Sequence, residues 1–77
     1  MCEVIAESVQ KQSDGSLWAI TVQTTDDDVL QYEIESQVKE PGDLFWESVD
    51  VIGPFKHLMD AVEEAERVYR GHKLLLV

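Results

Sequence analysis

Cysteine is almost missing from this chain: Cys2 is the single one in 77 residues, so no disulfide can form within it. A lone thiol fits a reducing compartment better than an oxidising one. Basic residues are scarce too, 6 Lys and Arg against 16 Asp and Glu, a formal charge of −10. That field repels phosphates and anionic lipid, which argues against direct nucleic-acid or membrane partners. No run approaches the roughly eighteen apolar residues of a transmembrane helix. Met1 to Glu7 lacks the basic and apolar regions of a signal peptide, so a cytoplasmic protein is expected. Low-complexity tracts and internal repeats are absent as well.

What is present is enough to fold. Apolar residues make up 44% of the chain, too many for a disordered tail. Residues 1–77 read as one small domain, and a domain of this size buries only about 60% of the surface its unfolded chain exposes. Disulfides, a metal or a second subunit are the usual remedies for so thin a margin. Here the disulfide is excluded and Cys2, His57 and His72 have no paired metal-ligand spacing, which leaves an efficient core or an oligomer.

The chain is organised around one helix. Phe55, Leu58, Met59, Val62, Ala65 and Tyr69 recur at three- and four-residue steps. Pro54 suits a first helical turn and Gly71 the left-handed position past the end. On a helical wheel over 55–70 the apolar arc runs from Val68 through Ala61, Ala65, Leu58, Tyr69, Val62 and Phe55 to Met59. It covers about half the circumference, wider than one sheet contact requires, and Glu66 falls inside it. Glu63 with Arg67 and Glu66 with Arg70 are spaced as i,i+4 ion pairs.

Strands are expected on either side of it. Cys2–Gln10 alternates loosely, and Ser13-Asp14-Gly15-Ser16 is a turn leading into Leu17–Thr24, with Trp18, Ile20 and Val22 on one face. After the hydrated Asp26-Asp27-Asp28 turn, Val29–Ser36 alternates cleanly and implies a sheet with one wet side. Val38 to Asp43 reads as a loop and Phe45–Ile52 as a fourth strand with Val49 and Val51 toward the helix. The final Leu74-Leu75-Leu76-Val77 has no wet face, so a last strand there should be covered on both sides. The class is α+β: a mostly antiparallel sheet of four to five strands with one helix on one face, in the order β-β-β-β-α-β.

Site chemistry is thin. His57 and His72 are the only side chains that ordinarily titrate near neutrality, and no spacing gives either one a nucleophile or a second acid. Cys2, His57 and His72 lack the paired spacing of a zinc site, and the Asp26–Asp28 run lacks the alternating ligands of a calcium loop. No catalytic, metal or cofactor residue is assigned, and an enzyme is not expected. Trp18, Trp46 and Tyr32 belong to the core in the plainer reading, with Trp46 the best candidate for exposure. Glu66 either leans out to Arg70 or faces a cation on a partner. The candidate interaction surface is therefore Trp46, Glu66, Tyr69, Leu74 and Leu76.

The expectation is a small acidic cytoplasmic accessory protein, without catalysis, that self-associates as a homodimer and contacts other proteins. One alternative is an acidic nucleic-acid mimic using Asp60, Glu63 and Glu64 with Glu33 and Glu35. Another is a small-molecule binder, with a pocket between helix and sheet lined by Trp18, Tyr32, Met59 and Tyr69, or at a dimer seam.

Overall fold

The computed structural model describes residues 3–77; Cys2, as thiol and as first strand residue, lies outside them. The elements are β1 (Val4–Lys11), β2 (Leu17–Thr24), β3 (Tyr32–Lys39), β4 (Glu47–Phe55), α1 (Leu58–Val68) and β5 (Leu75–Leu76). They build an α+β fold. All neighbouring strands are antiparallel, in the order β4-β3-β2-β1-β5. The helix contacts β2, β3 and β4 and returns the chain from the β4 edge to the opposite edge beside β1.

The β1–β2 hairpin closes as its turn residues imply. Gly15 takes φ +93° and donates its N–H to Gln12 O at 3.0 Å. The Asp14 carboxylate accepts from Ser16 N (2.8 Å) and Ser16 Oγ (2.6 Å), which holds it below the usual carboxylate range. β2 spans the residues its alternation marks. Ile20 and Val22 are fully buried against the helix; Val22 stands opposite Ile34 of β3 and Ala6 of β1, and Ile20 opposite Ser36 and Ser8.

β3 starts and ends three residues later than the pattern suggests. Thr25 N donates to Gln31 O at 3.0 Å, closing a loop that leaves Val29 and Leu30 exposed. Val38 and Lys39, expected in a loop, extend the ladder opposite Trp18 and Leu17. β4 is likewise displaced, and it contains Pro54, which therefore does not open the helix. An edge strand tolerates proline because the missing N–H costs no ladder bond. Gly53 has φ +139°, and a Cβ there would lie 3.2 Å from Tyr32 O, so this crossing needs glycine. The helix begins at Leu58, with His57 as its N-cap.

The phase of β4 also differs from expectation. Asp50 pairs with Ser36 but Ser48 pairs with Gln37, so one extra residue is accommodated around Val49. Val51 lies opposite Glu35 on the face away from the helix, and it is Ile52, opposite Ile34, that packs inward. A one-residue shift exchanges the two faces of a strand.

Ala61 and Ala65 are fully buried, and these small residues let α1 sit close on Ile20, Val22 and Ile34. Leu58, Val62 and Tyr69 flank them, half-buried. The two ends of the apolar arc stay open: Met59 is 60% exposed and Val68 41%. The arc is wider than the sheet covers. Arg67 bonds Glu64 (Nε to Oε1, 2.9 Å), three residues back, in place of the expected Glu63. This pair lowers the Glu64 pKa and raises that of Arg67.

Candidate interaction surfaces

Three of the five residues singled out from the sequence are used inside the molecule. Leu74 is buried in the core with Ala6, Ile20 and Ala65. The Glu66 carboxylate neither leans to Arg70 nor lies free, because it accepts the Leu74 N–H at 2.9 Å. The Tyr69 ring packs on the same core, and its hydroxyl donates to Ser36 Oγ at 3.3 Å. Together they fasten the segment after the helix to the sheet. Trp46 and Leu76 remain, and the strand order places them at opposite edges. The five do not form one surface.

At the β5 edge the expectation of a strand covered on both sides fails. Leu75, Leu76 and Val77 are 67%, 74% and 77% exposed. β5 pairs with β1 only at Ala6 and Glu7, because Leu74 has been drawn inward and the strand begins after it. Val77 N–H turns toward β1, bonding Ile5 O at 2.9 Å, so by antiparallel alternation the Leu76 N–H and C=O point away from the sheet. Beside this strand lies an open groove of about 570 Å³, lined in part by Ser8, Val9, Gln10, Lys73 and Leu75. Two of its lining residues tie β1 to the segment after the helix: Gln10 Nε2 bonds Gly71 O, and Ser8 Oγ meets His72 Nδ1 at 3.0 Å. Burial lowers the His72 pKa, a hydrogen bond to Ser8 working the other way.

The other edge presents a different apolar group. Leu44, Phe45 and Trp46, in the loop before β4, are 83%, 81% and 39% exposed and flanked by Asp43 and Glu47. Trp46 is thus partly open, from a loop position rather than from a strand face. From the sequence Phe45 reads as a strand residue; Pro41-Gly42 and Asp43 just before Leu44 are the signal that the loop runs on to Trp46.

The sheet face away from the helix is polar at its centre. Gln23 Nε2 donates to Glu33 Oε1 at 2.9 Å and Gln37 Nε2 to Glu35 Oε1 at 2.6 Å, covering Ala19 and Thr21. The carboxylates that a nucleic-acid mimic would use are divided. Glu33 and Glu35 stand on this face, whereas Asp60, Glu63 and Glu64 belong to the helix on the other. Between helix and sheet the space expected for a pocket is filled by Ala61, Ala65, Val62 and Tyr69. His57 and His72 lie at opposite ends of α1. Among the described residues, no three His, Cys, Asp or Glu side chains come together to hold a metal ion. No described helix is long and apolar enough to cross a membrane.

No family model matches the chain, and no curated protein and no solved structure matches it either.

Proposed function

We propose that this chain is a small, non-catalytic interaction module of the cytoplasm that self-associates as a homodimer through its β5 edge. One observation carries the reading: β5 is apolar on both faces yet stands at the rim of the sheet. A strand apolar on both faces is disfavoured at a solvated rim, and the outward N–H and C=O of Leu76 leave its edge unpaired with β1. A second copy supplies a neighbour there. Two β5 strands pair antiparallel about a two-fold axis at Leu76, whose N–H and C=O face outward, and two five-stranded sheets become one continuous sheet. The open Met59 and Val68 at the rims of the helix add apolar area outside the core.

Solution mass by light scattering, at about 10 and 500 μM and at low and high salt, tests this directly (a range that brackets weak two-fold association). A dimer that persists in high salt is expected, since apolar contacts are not screened. A monomer throughout would overturn the reading.

A further inference from the structure

Leu44, Phe45 and Trp46 are not explained by a seam at β5, because β4 and β5 are the two opposite edges of the sheet. The turn just before them, residues 40–43, is held in shape. Asp43 N donates to Glu40 O at 3.0 Å across Pro41-Gly42, Gly42 takes φ +87°, and Pro41 lies against the β1–β2 turn at Gly15. Three large apolar side chains follow that turn, and they line a shallow groove of about 290 Å³ with Asp43 and Glu47. Between Lys39 and Lys56 the chain carries Glu40, Asp43, Glu47 and Asp50 and no cation at all. The patch is an apolar anchor inside an acidic rim.

We infer that Leu44, Phe45 and Trp46 form the docking surface for a second protein whose apolar pocket is rimmed by lysine or arginine. Buried aromatic anchors dominate binding energy at interfaces, while rim charges set specificity and encounter rate. Charge selects this occupant over the others. A second copy docking patch to patch would bring Asp43 and Glu47 against their own kind. An anionic membrane would meet the same carboxylates. The inference rests on reading the chain as an interaction module, but not on its self-association.

The test is a titration of ¹⁵N-labelled protein with a helical peptide of leucine and lysine, patterned to give an apolar stripe edged by lysines. Its counterpart with glutamate for lysine is the control. The lysine peptide is expected to shift the amides of residues 43–47 most. Phe45→Ala is expected to weaken binding about tenfold or more. Asp43→Asn with Glu47→Gln should weaken it further at low salt than at high, with amides elsewhere unmoved. The idea is overturned if Phe45→Ala binds as tightly, or if shifts spread over the whole acidic surface. It is equally overturned if phosphatidylcholine vesicles move the same amides as strongly, which would make the triad a membrane anchor. Movement of these amides on concentrating the protein alone would assign the patch to self-association. Solution mass reports separately on the β5 seam, so failure of one reading is distinguishable from failure of the other.

Discussion

The Glu66 carboxylate accepts the backbone N–H of Leu74 at 2.9 Å, joining the last turn of α1 to the segment that leads into β5. This bond buries Leu74 in the core and leaves Leu75 and Leu76 to form the exposed edge. Glu66→Ala is expected to cost about 1.5–3 kcal/mol, the range for a hydrogen bond to a charged group. For a domain this small the melting temperature should fall by about 4–8 °C per kcal/mol. Glu66→Gln, which keeps an acceptor oxygen, should lose less. Thermal unfolding followed by circular dichroism checks both, and equal losses would show that the Leu74 bond is not what Glu66 contributes.

The helix rests on alanines, so it has no room to gain volume there. Ala65→Leu is expected to destabilise by about 1–3 kcal/mol, the usual effect of overpacking. Met59→Ala, at the open rim of the same arc, should stay within about 0.5 kcal/mol at concentrations where the chain is monomeric. Urea unfolding of the two variants measures the contrast. A mild Ala65→Leu would mean that the helix does not press on Ile20 and Ile34 as described.

At Gly53 the backbone of β4 passes close to that of β3. Gly53→Ala combines a positive φ that side chains avoid with a Cβ 3.2 Å from Tyr32 O and 3.3 Å from Glu33 Cα. Both neighbours are backbone and cannot swing aside. A loss of about 1–3 kcal/mol is expected, read again from urea unfolding. Gly42→Ala, whose Cβ meets nothing within 4 Å, separates the steric part from the dihedral part.

His72 gives the fold a pH dependence near neutrality. Burial lowers its pKa in the folded chain, while an unfolded imidazole titrates near about 6.5. Where the two differ the unfolded chain binds more protons, so stability rises with pH. The contribution is complete above the unfolded pKa and is lost as pH falls through the folded one. Asp14 and Glu64, also lowered, act in the same sense but only in the carboxylate range below about pH 4–5. Stability measured between about pH 5 and 7 should therefore rise in the wild type and be flatter in His72→Gln. An unchanged slope would remove His72 as its source.

The class of fold was legible because hydrophobic period survives even where boundaries do not. Tyr32 and Ile34 lie on the face their alternation assigns, although their strand starts three residues later than expected. What the pattern could not reveal was decided by single backbone contacts. The Thr25–Gln31 bond moves the start of β3, an extra residue at Val49 reverses the face of Val51, and the Gly53 crossing keeps Pro54 in a strand. The candidate surface is less legible in the sequence. Apolar character alone does not separate Leu74, held inside by Glu66, from Leu76, two residues on and open. Wheel position marked Glu66 as unusual, but its acceptor role depends on where the chain goes after Gly71.

The most direct test of the β5 seam is an isotope-filtered NOE measurement on an equal mixture of ¹³C-labelled and unlabelled protein. The account places the two-fold axis at Leu76, so contacts between copies should join the methyl groups of Leu76 in one to those of Leu76 in the other. Leu75 and Val77 should contribute beside them, and Leu76→Lys should abolish the set. Contacts confined instead to Met59 and Val68, or to Phe45 and Trp46, would contradict the account, as would none at a concentration where the mass is that of a dimer.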